Sequence, residues 1–158
     1  DLNLARPYNL TETIESLEIA LNSESPNVFA LSRQKISSKI FTPKRGDLDL
    51  CIFASGSDVE IAYSVAELLE GDNLKAQVIS VPFWSKNMKT QCDNTKYRVA
   101  IETGTGRSWS HLLGTESIIF NITQFGISGP ASEITKFFKF TPEDIAKEIF
   151  DKIKNIKN

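Results

Sequence analysis

The chain has 158 residues, 41% of them hydrophobic, a length and composition that suit one folded domain with a packed core. Its formal net charge is −2 and no basic stripe is visible, which argues against nucleic acid or an anionic membrane as a partner. No apolar run approaches the length of a membrane span, and a single His with two distant Cys argues against a zinc site.

Asn9 and Glu12 have the spacing of a capping box, and Ile14, Leu17 and Leu21 follow on one helical face, so a helix is expected over about 10–22. "SESPN" breaks it, and Pro26-Asn27 leads into a strand over 28–32 that ends on Arg33 and Gln34. Residues 35–47, "KISSKIFTPKRGD", are polar, basic and without period, which reads as a linker. "LDLCIFA", from Leu48, is a continuous apolar strand of the kind buried on both faces of a parallel sheet. Ser57 and Glu60 form a second capping-box pair. The helix after them carries Ile61, Val65, Leu68 and Leu69, with Gly71 as its expected C-terminal cap. "AQVISVPF", closed by Pro82, "RVAIETG", from 98, and "SIIFNI", from 117, are further strands, with a short helix in "RSWSHLLG" between the last two. Ser132 is expected to cap a helix around "EITKFF". Thr141-Pro142-Glu143-Asp144 starts a last helix to about 155, whose lysines are interleaved with acids on a solvated face. Strands alternating with helices predict an α/β fold with a parallel or mostly parallel sheet.

Each chemically suggestive residue has a bland reading beside it. The Gly56 turn before a helix could cradle a phosphate on free N–H groups, but the dinucleotide fingerprint needs three spaced glycines and a structural turn is favoured. "ETGTGR" places Gly104, Gly106 and Arg107 after a strand, yet Glu102 repels an anion and the spacing fits no nucleotide loop. His111 has no Ser, Cys or Asp at a telling spacing and reads as a surface or partly packed residue. Trp84 and Trp109 read as core or interface anchors, and "FGISGP" as a turn docked on the sheet. Cys51 is expected to be an inert buried thiol, and the reduced-looking cysteines suit a cytoplasmic setting. The chain opens on Asp1 with no signal peptide and no initiating Met, as expected of a piece of a longer protein. Arg33 has the stronger case: a planar fork of donors at the end of a strand matches a phosphate. By that argument alone a solvated surface arginine is still favoured.

A series of stretches resembles, in order, the C-terminal part of transketolases over nearly the whole chain. They are "RPYNLTET", "ALSRQ", "FASGSDVEIA", "VISVPFW", "RVAIETG", "W…LLG" and "FGISGPASEITKFFKFT". The resemblance implies a layout: residues 1–35 as the tail of the pyrimidine-binding domain, 36–47 as linker, and 48–158 as the C-terminal domain. That domain is expected to be a three-layer α/β/α unit with a mixed, mostly parallel five-stranded sheet. The implied reaction is transfer of a two-carbon ketol unit from a ketose phosphate to an aldose phosphate in the pentose phosphate pathway. Thiamine diphosphate with Mg2+ or Ca2+ would be bound in a homodimer. Arg33 falls on the family's Ser/Thr-Arg-Gln motif, which implies contact with the substrate's terminal phosphate. The metal motif, the cofactor-activating Glu and the catalytic histidines of the family lie upstream. No catalytic, cofactor or metal residue is therefore carried over, and the chain alone is expected to be inactive without its N-terminal and pyrimidine-binding portions. The segment 85–97 is shorter than the family's usual connection, and "GTGRSWSHLLG" is only loosely similar. The alternatives are a deoxyxylulose-phosphate synthase, a 2-oxo acid dehydrogenase E1 β-subunit, or a non-catalytic dimerisation or phosphate-binding module.

Overall fold

The computed structural model describes residues 1–33, 47–85, 95–114 and 116–156. The chain opens with β1 (Asn3–Ala5), followed by α1 (Leu10–Leu21) and β2 (Asn27–Phe29). Then come β3 (Leu50–Ala54), α2 (Asp58–Gly71), β4 (Ala76–Ser80), β5 (Phe83–Trp84) and β6 (Tyr97–Glu102). The chain closes with α3 (Arg107–Leu113), β7 (Ile118–Asn121), α4 (Ala131–Phe137) and α5 (Pro142–Ile156). β4, β3, β6 and β7 form, in that order, an all-parallel sheet. A small second sheet has the order β2-β1-β5, with β1 parallel to β2 and antiparallel to β5.

Alternation along the strands builds three layers. Leu50, Ile52 and Ala54 of β3, with Val99 and Ile101 of β6, face α2 and α5 in one core. Cys51, Phe53 and Ala100 face the other way, onto Trp109 and Leu113 of α3. All five residues of β3 are buried, as a central parallel strand covered by helices on both faces must be. The expected α/β architecture with a parallel sheet is therefore present, but among the described residues that sheet has four strands, all parallel, rather than the five mixed strands expected, because β5 leaves it to pair with β1.

Several local readings hold and others change. Asn9 caps α1, its side chain accepting the Glu12 N–H at 2.9 Å, and the Glu12 carboxylate accepts the Tyr8 N–H at 2.7 Å. The Thr141 hydroxyl accepts the Asp144 N–H at 3.2 Å at the start of α5. Ser57, however, has helical angles and makes no side-chain cap. Ser132 lies inside α4, preceded by Pro130 at the cap position. α2 ends in a left-handed residue at Asn73 rather than at Gly71; the Leu74 N–H reaches back to the Leu69 carbonyl, 3.0 Å away. Its buried stripe is Val59, Ala62, Val65, Ala66 and Leu69, so Leu68 turns outward. The strand expected over 28–32 is shorter, Asn27–Phe29. "FGISGP" does not dock: Phe125 is 96% exposed. Cys51 is buried but disulfide-bonded, which corrects the free thiol expected there and removes the argument for a reducing compartment. Cys92, Gln34, Lys157, nearly all of the linker over 36–47 and most of the segment 85–97 lie outside the described residues. Among the described residues no helix is long and apolar enough to cross a membrane.

Candidate functional site

The order β4-β3-β6-β7 contains a switch point. From β3 the chain passes through α2 to β4 on one side; it then returns on the other side with β6. The crevice at the carboxyl ends of β3 and β6 is where open parallel sheets take their ligands. Here it holds Arg6, one residue beyond the end of β1.

Arg6 is held by backbone and side chain together. Its N–H donates to the Pro82 carbonyl at 2.7 Å, and its carbonyl accepts the Gly56 N–H at 2.8 Å. Nη1 of the guanidinium donates to Glu102 Oε2 at 2.6 Å, and Nη2 lies 3.4 Å from Asp58 Oδ2. Glu102 is further satisfied by the Gly104 N–H at 2.9 Å and the Trp109 indole N–H at 3.2 Å. Asp58 accepts the Thr103 N–H at 3.0 Å and the Thr103 hydroxyl at 3.1 Å. One guanidinium thus serves two buried carboxylates and is closer to Glu102. Burial foremost, with Glu102 adding to it, pushes the Asp58 carboxyl up to about 6, against the lowering effect of Thr103 and Arg6. A raised carboxyl beside a cleft suggests an acid–base group. Asp58 is only 1% exposed and its oxygens are committed, so its geometry is that of a structural acceptor.

Beside the network lies an open cleft of about 750 Å³. Leu2, Leu4 and Arg6 form one wall, and Trp84 and Ser85 border it. The other wall runs from Glu102 through Gly104, Thr105 and Gly106 to Arg107, Ser108, Trp109, His111 and Leu112 of α3. The indoles of Trp84 and Trp109 meet edge to face, 4.5 Å apart and 84° inclined, which makes them packing anchors of the α3 layer.

The sequence-predicted positions separate here. Gly56 has φ +56°, so the turn does need glycine; its N–H, the group a phosphate would take, is bonded to Arg6. Gly106 has φ +68°, and a Cβ there would come within 2.9 Å of Asn121 Cβ, so this turn too is structural. Arg107 and His111 are exposed on the cleft rim. Arg33 is exposed, four residues beyond the end of β2, and does not line the cleft. Glu102, which reads in sequence as a repellent to anions, is the centre of the network. Arg6 and Asp58 carry no local signal, because their partners are 96 and 52 residues distant along the chain.

The sequence matches the family model described as transketolase-like C-terminal domain over residues 39–141. A transketolase of Sinorhizobium medicae is 30% identical over 174 residues, covering 96% of this chain and 25% of that protein. One of Aquifex aeolicus is 29% identical, covering 96% and 26%. The transketolase of Pichia stipitis, solved in complex with sedoheptulose 7-phosphate, superposes with a TM-score of 0.84 at 26% identity, over 99% of this chain and 26% of that one. A chain of a split-gene transketolase, an inactive β4 tetramer, shares the fold at a TM-score of 0.60 and 15% identity. The chain spans about a quarter of the length of the curated relatives it matches.

Proposed function

Because the chain belongs to the transketolase-like C-terminal domain family, we propose that it is the C-terminal quarter of a transketolase. In this reading residues 1–35 are the tail of the pyrimidine-binding domain, 36–47 a linker and 48–158 the C-terminal domain. The chain contributes Arg33 to the terminal phosphate of a sugar phosphate, through charge-assisted hydrogen bonds that position the substrate. It also contributes structural and dimer contacts.

The observation that carries this reading is the inverted packing of α1. Its small and polar side, with Ser16 buried and Glu12, Thr13 and Ala20 half-buried, packs on this chain. Its apolar stripe points outward: Leu10 is 74% exposed and Leu21 84%, with Ile14 and Leu17 between them also exposed. A helix so arranged is one side of a larger domain, since a contiguous apolar patch of this kind marks a surface meant to be covered. A self-contained module would bury that stripe.

Thiamine diphosphate would act as the carbanion sink, with a divalent metal on its diphosphate. Among the described residues no three His, Cys, Asp or Glu side chains come together to hold a metal ion. In this reading the cofactor is held by the rest of the enzyme, and the chain alone does not turn over sugar.

Reconstitution tests this directly. The chain is mixed with an N-terminal transketolase portion, xylulose 5-phosphate, ribose 5-phosphate, thiamine diphosphate and Mg2+, and sedoheptulose 7-phosphate is measured. Product from the mixture but from neither part is expected; product from this chain alone, or none from the mixture, overturns the reading.

A further inference from the structure

Arg6 occupies the crevice that an open parallel sheet offers to an external ligand, and the strand that precedes it, β1, connects that crevice to β2. Its backbone is clamped by Pro82 and Gly56, and its guanidinium spans two carboxylates on different elements, β6 and α2. The preceding residues, Asn3 to Ala5, pair in parallel with Asn27 to Phe29. The Ala5 carbonyl then accepts the Ala30 N–H at 2.8 Å, three residues before Arg33. A three-residue strand such as β2 has little pairing of its own to set its register. Its anchored neighbour supplies that register.

We propose that Arg6 is a positioning residue for the substrate-phosphate site. By locking β1 into the switch point of the C-terminal sheet, it sets the place of β2 and so of Arg33. This inference rests on the transketolase reading and on Arg33 as the phosphate contact. Arginine suits the task because its rigid fork reaches two carboxylates at once, where a lysine ammonium is a single point charge.

The experiment compares Arg6→Gln, Arg6→Lys, Arg33→Ala and the Arg6→Gln/Arg33→Ala pair in the assembled enzyme, with xylulose 5-phosphate against D-xylulose as donor. Arg33→Ala is expected to raise KM for the phosphorylated donor about tenfold or more, with little change for D-xylulose. Arg6→Gln is expected to do the same, by roughly three- to tenfold, with kcat within about twofold, and Arg6→Lys to fall between. In the pair, Arg6→Gln should add almost nothing to Arg33→Ala, because the two act on one contact. Hydrogen exchange at the Ala30 amide should quicken in Arg6→Gln while Ile52 stays protected. If Arg6→Gln prevents assembly, Glu102→Gln weakens the same clamp while keeping its shape, and the same selectivity is expected in smaller measure.

A selective Arg33→Ala beside a non-selective or fully additive Arg6→Gln overturns the inference and leaves the phosphate site standing. A non-selective Arg33→Ala removes the phosphate role itself, and the inference falls with it.

Discussion

Asp58 gives this fold one pH-dependent contribution to stability. Its carboxyl lies near 6 in the folded chain, against 3.8 for an unhindered aspartate. Between those values the folded state holds a proton that the unfolded state has released. The stability from this group is therefore fully present below about pH 4, is lost as pH rises toward about 6, and changes no further above it. The span is on the order of 3 kcal/mol at most. Asp58→Asn keeps an acceptor for Thr103 but removes the titration, so it should flatten the stability profile across that window. Urea unfolding of the chain and the variant at pH 4.5 and pH 7 measures this; parallel profiles would refute the assignment. The residue-scale reading also shows where sequence is mute. Glu102 beside two glycines reads as a charge that turns anions away. Only the fold brings Arg6 to it, with Trp109 and Gly104 supplying the remaining donors.

At the scale of elements, chemistry within one turn was legible. Asn9 with Glu12, and Thr141 with Asp144, cap their helices as their spacing implies, because cap and partner lie three residues apart and share one local geometry. Ser57 with Glu60 has the same spacing but fails: Ser57 is drawn into helical angles (φ −62°, ψ −21°) by the turn at Gly56, and a cap needs an extended backbone. The stripe of α2 is likewise rotated from Leu68 toward Ala62 and Ala66, small residues that let α5 approach. α5 answers with Ile145, Ala146, Ile149 and Ile153, all buried, while Lys147, Lys152 and Lys154 stay in solvent. Ile149 is 0% exposed in this layer. Ile149→Ala should cost roughly 2–4 kcal/mol in chemical denaturation. A loss below about 1 kcal/mol would mean that α5 is not a packed part of the core.

Among the described residues the N-terminal segment meets the parallel-sheet core through Arg6, through buried Tyr8 and through the pairing of β1 with β5. The parallel sheet is covered on both faces; α1 is covered on one side only. Replacing Leu10 and Leu21 together by Lys should change the stability of the chain by no more than about 0.5 kcal/mol per site, since both already stand in water. On the transketolase reading proposed above, the same pair should abolish reconstitution with the N-terminal portion, read as loss of a co-eluting complex and of sedoheptulose 7-phosphate formation. Normal assembly with two lysines on that stripe would show that the helix faces solvent in the enzyme.

The sequence alone determined most of the elements from α1 onward, the buried parallel strand at "LCIFA", the two true helix caps and the membership of a family, since each is written in neighbouring residues or in an ordered series of short motifs; it did not disclose β1, three residues long, or that β5 is separate from β4. The tertiary structure decided which way each helix turned its stripe, that β5 leaves its neighbour β4 after Pro82 to join β1, and that one guanidinium fills the switch point. Those outcomes depend on side chains up to 96 residues apart meeting in a low-dielectric crevice. A pairing of that range is selected by burial and by the need to satisfy every buried charge, neither of which a local stretch of chain records.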